Sequence, residues 1–285
     1  MNPLLSRLQP YPFERLRQLF AGVTPSPAHK AISLGIGEPR HATPPFILEA
    51  LNQAFPALAS YPLTAGTPEL RQSCTGWLKR RYGVNLDPNT QLLPVNGSRE
   101  ALFSFAQTVL DGNPESLVVS PNPFYQIYEG AALLGQAQVH YVPSVASKNF
   151  AVDWDSVPVN IWQRTRLLFV CSPGNPTGAV MPLSEWKKLF ELSDQHGFVI
   201  ASDECYSEIY FGDKPPLGGL QAASQLGRTD FKRLMCFTSL SKRSNVPGLR
   251  SGFVAGDAQW IAPFLRYRTY HGSAMGGMVQ QASIA

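Results

Sequence analysis

One lysine in the last quarter of the sequence lies among residues that suit the capture of a phosphorylated carbonyl compound. Lys242 follows an apolar, strand-like stretch, with Ser239 and Ser241 just before it and Arg250 shortly after it. The two hydroxyls and the forked guanidinium suit a dianionic phosphate, which leaves the lysine amine free to attack a carbonyl carbon. The alternative is that Lys242 and Arg250 are ordinary surface cations, the usual place of such residues.

A second polar cluster, Asn96–Glu100, follows the apolar run Leu92–Val95 and opens a helical pattern. The N-terminus of a helix offers free backbone N–H groups and the positive end of the helix dipole, and both suit a phosphate. On the alternative interpretation, Ser98 is an ordinary N-cap residue with Glu100 in the first turn. The presence of the other polar clusters in the sequence favours the phosphate site over the ordinary N-cap.

Two further clusters carry residues that suit a heteroaromatic ring. Asn175 lies in the proline- and glycine-rich segment Ser172–Gly178, which is either a plain turn or a rigid support that aims the amide at a phenolate-type oxygen. The bond from Asn175 to Pro176 is a candidate for the cis form. Asp203 directly follows an apolar run, where a desolvated carboxylate needs a cation such as a pyridinium nitrogen, or it caps the next helix. Tyr206 suits a hydrogen bond to a ring oxygen.

An aromatic residue completes this set. Tyr125 follows another strand-like run and suits stacking on a flat ring, whereas Phe124 beside it suits core packing equally well. These residues match the groups of pyridoxal 5'-phosphate. They offer a lysine that attacks a carbonyl, donors for a phosphate, donors for a ring oxygen and a carboxylate that needs a cation. The sequence therefore predicts this cofactor.

Apolar, strand-like runs alternate with helical patterns from residue 92 onward. Several runs are apolar throughout, as in strands buried on both faces, so we predict an α/β fold with a mostly parallel sheet sandwiched by helices. Ligands bind such sheets at the carboxyl ends of the strands, and the polar clusters follow four of these runs, so we expect them to converge. The predicted strands are Leu92–Val95, Ser116–Ser120, Gln138–Val142, Leu167–Cys171, Phe198–Ser202, Leu234–Thr238 and Gly252–Ala255, and the predicted helices are 99–110, 124–135 and 184–196.

The two ends of the sequence differ from this alternating part. Residues 12–21 carry apolar side chains at helical spacing, and Thr24–Pro27 breaks the pattern. We expect an N-terminal arm, residues 1–35, before one large cofactor-binding domain, residues 36–285. The last stretch, Asp257–Ala285, is helical in pattern.

The composition is that of an ordinary globular protein. The 285 residues are 44% hydrophobic and 15% charged, which suits one large or two modest domains. The net charge of +4 is spread along the chain, which argues against binding to nucleic acid or to a membrane surface. We expect a cytoplasmic protein, because the sequence has neither a signal-peptide pattern nor the ~20 consecutive apolar residues of a membrane span. The cysteines lack metal-ligand spacing and are expected to be reduced core thiols: Cys74, Cys171, Cys205 and Cys236.

With these motifs, the sequence from Ile32–Pro39 onward resembles the fold-type I, class I/II pyridoxal-phosphate aminotransferases. The resemblance implies the large domain of that fold, amino-acid and 2-oxo-acid substrates, and a homodimer. It also implies that Lys242 is the Schiff-base lysine and that Asp203 is the partner of the pyridine nitrogen. Asn175 and Tyr206 are then donors to the ring hydroxyl.

The same resemblance gives roles to the other residues of the motifs. It implies that Tyr125 stacks on the ring, that Tyr61 reaches the phosphate of the neighbouring subunit, and that Gly37 and Asn175 contact the substrate. The residues implied to bind the phosphate within the subunit are Gly97, Ser98, Arg99, Ser239 and Arg250.

Within the family, three segments look most like bacterial succinyldiaminopimelate aminotransferases of lysine and diaminopimelate biosynthesis: Met1–Phe13, Gly35–Pro44 and Ser239–Gly252. This resemblance implies transfer of an amino group between N-succinyl-LL-2,6-diaminopimelate and 2-oxoglutarate. The alternatives are another aminotransferase or lyase of the same fold, and a non-catalytic cofactor-binding protein.

The sequence departs from the family at its C-terminal end. Family members continue beyond the position of Ala285 into a small domain with the arginine that binds the substrate α-carboxylate. That arginine has no counterpart in this sequence. We therefore expect the small domain to be largely absent and the cofactor site to be more complete than the substrate site.

Overall fold

An eight-stranded sheet lies at the centre of the chain, and the computed structural model describes all of residues 1–285. The strand order is β1-β8-β7-β6-β5-β2-β3-β4, with β2, β3, β5, β6 and β7 parallel and with antiparallel pairs β1·β8, β7·β8 and β3·β4. The strands are β1 (Leu92–Val95), β2 (Leu117–Asn122), β3 (Gln138–Val145), β4 (Ala151–Val152), β5 (Thr165–Cys171), β6 (Val199–Asp203), β7 (Leu234–Ser239) and β8 (Gly252–Gly256). The prediction of a mostly parallel sheet is confirmed.

Eleven α-helices surround the sheet. They are α1 (Pro12–Phe20), α2 (Pro45–Gln53), α3 (Pro68–Tyr82), α4 (Ser98–Val109), α5 (Ile127–Leu134), α6 (Val159–Arg164), α7 (Leu183–His196), α8 (Gly219–Gln225), α9 (Leu240–Arg243), α10 (Ala258–His271) and α11 (Gly277–Ile284). Short 3-10 helices span Pro3–Arg7, Phe55–Ala59, Ala146–Lys148, Trp154–Ser156 and Pro247–Leu249. None of the helices has the length and apolar character that a membrane-spanning segment needs.

Two apolar cores cover the two faces of the sheet. Alternate residues of β5 divide between them, since Leu168 packs into one core and Leu167 and Phe169 into the other. The first core also contains apolar residues of α3, α6, α7 and α8, and the second contains those of α4, α5 and α10. Because successive side chains of a strand point to opposite faces, a strand with a core on both sides must be apolar throughout. This is why the central strands are continuous apolar runs in the sequence.

The topology brings the ends of four strands to one edge of the sheet. β1 is antiparallel to β8, and β8 is antiparallel to β7, so β1 runs in the same direction as the parallel strands. The loops after β1, β5, β6 and β7 therefore leave the sheet on the same side. The expectation that the four polar clusters lie at one edge is confirmed.

Most predicted element boundaries lie within a few residues of the observed ones, and two differ. The helix predicted over 124–135 begins only at Ile127. The helical stretch Asp257–Ala285 is two helices. Gly272 ends the first of them in the left-handed conformation, at φ 78°, which glycine adopts without strain.

An ion pair fastens α10 to the start of α4. The guanidinium of Arg268 is completely buried, and its Nη1 donates to both carboxylate oxygens of Glu100 at 2.6 Å. Its Nη2 donates to the carbonyl of Ser273, also at 2.6 Å. Since Glu100 lies in the first turn of α4, this pair fixes the helix whose N-terminus borders the site.

We expect Arg268→Leu to lower the free energy of unfolding by about 2–4 kcal/mol, because it leaves a largely buried carboxylate without its cation. Urea denaturation followed by circular dichroism measures this loss. Arg266→Leu, on the same helix but exposed, is the control and should change stability by less than about 0.5 kcal/mol. Equal effects of the two substitutions would contradict the structural role of the pair.

Candidate functional site

A cavity of about 690 Å³ opens at the carboxyl edge of the sheet. Its volume is in the range of small-molecule and cofactor sites. The predicted site residues that line it are Gly37, Ser98, Arg99, Tyr125, Asn175, Asp203, Tyr206, Ser239, Lys242 and Arg250. Residues separated by two hundred positions in the sequence thus meet in one space.

Lys242 reaches this cavity from a single short helix. Strand β7 ends at Ser239, whose Oγ accepts a hydrogen bond from the backbone N–H of Ser241 at 3.1 Å and so caps α9. Lys242 lies within that helix, and its Nζ donates to the carbonyl oxygen of Gly37. The amine is 6.0 Å from the ring centroid of Tyr206. The cap therefore sets the direction in which the lysine leaves the sheet.

Asp203, at the end of β6, provides a buried carboxylate at the floor of the cavity. It is only 3% exposed, and burial raises its pKa above the usual aspartate range. Two donors oppose that rise: the hydroxyl of Tyr128 donates to Oδ2 at 2.9 Å, and the backbone N–H of Cys205 donates to Oδ1 at 3.3 Å. Tyr128 is itself fully buried and stacks on Phe169 with ring centroids 4.5 Å apart. A carboxylate held in this way is suited to pair with a cation in the cavity.

The opposite end of the cavity collects donors suited to a phosphate. The Nη1 of Arg250 lies 3.4 Å from the Oγ of Ser241, and the Oγ of Ser239 donates to that same oxygen at 2.9 Å. Gly97 precedes α4 with φ 86°, and a Cβ at this position would collide with the guanidinium of Arg250. The start of α4, with Ser98 as its first residue, therefore approaches Arg250 closely only because position 97 has no side chain.

Aromatic and amide groups also line the cavity. Burial raises the pKa of Tyr125 to about 12, although the nearby positive charge of Arg99 opposes the shift. Burial also raises the pKa of Tyr206 above its usual range, so its hydroxyl keeps its proton and remains a donor at neutral pH. Asn175 lines the cavity, and its bond to Pro176 is cis, as the sequence suggested.

These residues fit pyridoxal 5'-phosphate by their chemistry. The unmet requirement of Asp203 for a cation matches a pyridinium nitrogen, and the Ser239, Ser241 and Arg250 group matches a phosphate dianion. Lys242 supplies the amine, and the hydroxyl of Tyr206 supplies a ring-oxygen donor. The cavity thus offers a counterpart to each polar group of the cofactor.

Some predicted site residues lie outside the cavity or make other contacts than the sequence suggested. Tyr61 is fully exposed and lies outside the cavity, so its role toward a neighbouring subunit stays a prediction. Ser98 is not an N-cap residue, because Gly97 holds that position and no side chain caps α4. The guanidinium of Arg99 lies 5.4 Å from the ring centroid of Tyr11. Arg99 thus extends its side chain toward the N-terminal arm.

Sequence reasoning missed several residues of the site. Tyr128 is one of them. It lies three residues after Tyr125, about one helical turn, and this spacing is the signal that could have placed it on the same side of the chain. The arm residues Tyr11 and Phe13 also line the cavity, and only the tertiary structure shows that the arm folds over it. Glu204, which follows Asp203, points away from the cavity, accepting hydrogen bonds from Gly219, Tyr82 and Ser202.

Comparisons with known proteins agree with this site. The family model described as "Aminotransferase class I and II" matches residues 29–275. The LL-diaminopimelate aminotransferase of Nitratidesulfovibrio vulgaris is 35% identical over 290 residues, which cover 98% of this chain and 71% of the relative. An aminotransferase structure from Neisseria meningitidis is 58% identical with a TM-score of 0.95, covering 100% of this chain and 72% of that one. The probable N-succinyldiaminopimelate aminotransferase of Thermus thermophilus is 26% identical with a TM-score of 0.80, covering 89% of this chain and 67% of that one.

We expect Gly97→Ala to weaken binding of pyridoxal 5'-phosphate at least about tenfold, because the new methyl group displaces Arg250 and the positive φ strains an alanine. Titration of the apoprotein with the cofactor, followed by protein fluorescence, measures the change. Gly22→Ala is the matched control, since its methyl group meets no atom within 4 Å. Equal affinities of the two variants would show that position 97 does not shape the phosphate end.

We expect Tyr128→Phe to destabilise the apoprotein by about 1–3 kcal/mol at neutral pH, because it removes a donor from a buried carboxylate. The pKa of Asp203 is higher in the folded chain than in the unfolded chain. The free energy of unfolding therefore falls as pH rises from the unfolded pKa, about 4, toward the folded pKa. Loss of the Tyr128 hydroxyl raises the folded pKa of Asp203 further. The loss of stability in the variant should therefore grow with pH between the unfolded and the folded pKa.

Urea denaturation of the apoprotein at a series of pH values measures this deficit. Tyr267→Phe, which removes a hydroxyl on α10, is the control. A deficit for Tyr128→Phe that is the same at every pH would mean that the hydroxyl does not act through the ionisation of Asp203.

Proposed function

Because the chain belongs to the class I and II aminotransferases, which depend on pyridoxal 5'-phosphate, we propose that it transfers an amino group between N-succinyl-LL-2,6-diaminopimelate and 2-oxoglutarate. Amino-acid and 2-oxo-acid substrates follow from the family. The observation that carries the proposal is the convergence of Lys242, Asp203 and Arg250 on one cavity. These three residues supply the amine, the buried anion and the phosphate-binding cation that the reaction needs.

The residues of the cavity have distinct tasks in this proposal. Pyridoxal 5'-phosphate, when bound, supplies a reactive carbonyl carbon and a ring that accepts electrons from the substrate. Asp203 holds a positive charge at the ring end of the cavity, while Ser239, Ser241 and Arg250 hold the phosphate. Lys242 Nζ, once released from the carbonyl of Gly37, takes the proton that leaves the substrate α-carbon.

The second candidate is LL-diaminopimelate itself as the amino donor. It is favoured by the names of relatives, since the proteins from Nitratidesulfovibrio vulgaris and Aquifex aeolicus, each 35% identical, are LL-diaminopimelate aminotransferases. The two donors share the reacting end and differ at the distal amine. This amine is a charged ammonium in LL-diaminopimelate, whereas in the N-succinyl compound it is an amide nitrogen that carries an anionic succinyl group. The charge around the distal end of the substrate therefore separates the two candidates.

The proposal includes a homodimer. Tyr61 is fully exposed, and two apolar side chains close to it in the sequence, Leu58 and Leu63, are also exposed. In the N-terminal arm, Ile32 and Leu34 are exposed as well. Exposed large apolar side chains in these two segments support an interface with a second copy of the chain. In the proposed dimer Tyr61 reaches the phosphate site of the partner subunit, and residues 1–35 form an arm beside the large domain 36–285.

We expect the cofactor-loaded chain to convert N-succinyl-LL-2,6-diaminopimelate and 2-oxoglutarate to glutamate, with a higher kcat/KM than for LL-diaminopimelate. Coupled detection of glutamate measures both rates. Lys242→Ala should lower the rate at least about 100-fold, because it removes the base as well as the anchoring amine. Lys79→Ala, which changes an exposed lysine of α3, is the matched control.

Three results would contradict parts of the proposal. Pyruvate and ammonia formed from cysteine-like substrates, without glutamate, would indicate a lyase. A higher kcat/KM for LL-diaminopimelate would select the second candidate. A Lys242→Ala variant with the wild-type rate would remove the assignment of the lysine.

A further inference from the structure

A second buried carboxylate directly follows the one at the floor of the cavity, and the proposed reaction gives it no task. Glu204 is 1% exposed, and no cation pairs with it. Three donors meet the carboxylate instead. Its Oε1 accepts from the backbone N–H of Gly219 at 2.7 Å and from the hydroxyl of Ser202 at 3.0 Å. Its Oε2 accepts from the hydroxyl of Tyr82 at 3.0 Å. Such bonds are what a buried carboxylate needs, so this part of the core is built around an acceptor.

Two glycines allow the donors to come this close. Gly218 and Gly219 precede and begin α8, which has no side-chain cap of its own. A Cβ at Gly218 would lie 2.7 Å from a ring atom of Tyr82. A Cβ at Gly219 would lie 2.9 Å from the Sγ of Cys236 and 3.2 Å from the Oε1 of Glu204. Because neither position has a side chain, α3 and α8 both reach the carboxylate, and Glu204 joins these two helices to the end of β6.

Glu204 is also the residue at which the chain leaves the sheet. Its backbone N–H donates to a carbonyl of β7 at 2.9 Å, and the next backbone bonds, within residues 204–209, are those of local turns. Successive side chains of a strand point to opposite faces, so Glu204 lies behind the sheet from the viewpoint of Asp203. The turn that follows carries two groups of the cavity: the N–H of Cys205, which donates to Asp203 Oδ1, and the side chain of Tyr206.

We infer that Glu204 is a positioning residue of the cofactor site. Its three hydrogen bonds behind the sheet fix the turn after β6, and this turn holds Asp203 in place to meet the ring nitrogen of the cofactor. The inference rests on the proposed function and deepens it, because Glu204 does not line the cavity and acts only through Asp203 and the N–H of Cys205. A charge-assisted hydrogen bond needs a short, well-aligned contact, so a small displacement of the carboxylate weakens it.

Two forms of the cofactor that differ in one ring atom test this inference. Pyridoxal 5'-phosphate has a ring nitrogen, and its 1-deaza analogue has a C–H group in that place. Titration of the apoprotein with each form, followed by protein fluorescence, gives the ratio of the two affinities. We expect the wild type to bind the nitrogen form about tenfold or more tightly, and Glu204→Leu to lower this ratio at least about threefold. A general loss of stability would weaken both forms alike and leave the ratio unchanged.

A conservative variant and a variant without the carboxylate at position 203 frame this result. Glu204→Gln keeps an acceptor for Ser202 and Gly219 and offers its amide to the hydroxyl of Tyr82, so it should retain the wild-type ratio within about twofold. Asp203→Asn shows the ratio that remains when no carboxylate meets the ring nitrogen. The ratio of Glu204→Leu should lie between that of Asp203→Asn and that of the wild type.

Asp257→Leu is the matched control. Asp257 is also a buried carboxylate, 5% exposed, and it accepts hydrogen bonds from the backbone N–H groups of Arg233 and Gln259. It follows β8, which is antiparallel to β7, so it lies at the edge of the sheet opposite the cavity. This variant should lose stability as Glu204→Leu does and keep the wild-type ratio of affinities.

Tyr82→Phe serves if Glu204→Leu does not fold. It keeps the ring, removes one of the three hydrogen bonds to Glu204, and should lower the ratio about twofold. A wild-type ratio in Glu204→Leu, or in Tyr82→Phe where only that variant folds, would overturn the inference. Equal losses of the ratio in Glu204→Leu and Asp257→Leu would overturn it as well, and so would a Glu204→Gln variant as impaired as Glu204→Leu.

The proposed function can fail separately from the positioning role. If the wild type transfers no amino group but Glu204→Leu loses the preference for the nitrogen form, the function is contradicted and the positioning role stands. If the wild type is an active aminotransferase and Glu204→Leu keeps the ratio, the function stands and the positioning role falls. A wild-type ratio equal to that of Asp203→Asn would contradict the assignment of Asp203, and the inference would fall with it.

Discussion

The burial of the Asp203 carboxylate is the constraint on which the rest of the site depends. A desolvated carboxylate is costly unless it is bonded and paired, and this one has two donors within the chain, Tyr128 and the N–H of Cys205. Tyr128 is fully buried and stacks on Phe169 of the neighbouring strand β5, which holds its ring beside the carboxylate. The remaining requirement is a cation in the cavity. We propose that a protonated pyridine nitrogen would meet it, and the electron-accepting chemistry of the cofactor depends on that same proton.

The sheet topology turns this local arrangement into a site. The reversal through β8 lets β1 run parallel to β7, so the phosphate end, the lysine and the buried aspartate lie at the same edge. The two apolar cores hold the strands from both faces, and the buried pair of Arg268 with Glu100 fixes the helix that starts at the phosphate end. The side chains that do chemistry are therefore carried by short connections from rigid elements, which keeps their geometry defined.

The sequence was sufficient for every strand except the short edge strand β4, and for the meeting of the polar clusters. Strands buried on both faces are apolar throughout, and parallel strands end at one edge. The sequence was insufficient where the direction of a side chain decides its role. Arg99 extends toward Tyr11, and Tyr128 turns inward to Asp203, since long-range packing sets both directions. A cavity of about 260 Å³ between Leu8–Pro12 and the start of α5 likewise depends on long-range contacts, which no local pattern encodes.

We propose that this cavity holds pyridoxal 5'-phosphate through one particular lysine, Lys242. Reduction of the cofactor-loaded protein with borohydride fixes the cofactor to its lysine, and peptide mass spectrometry then locates the attachment. We expect a single modified peptide, in which Lys242 carries the reduced cofactor and Lys30, Lys79 and Lys214 do not. Attachment to another lysine, or no attachment at saturating cofactor, would contradict it.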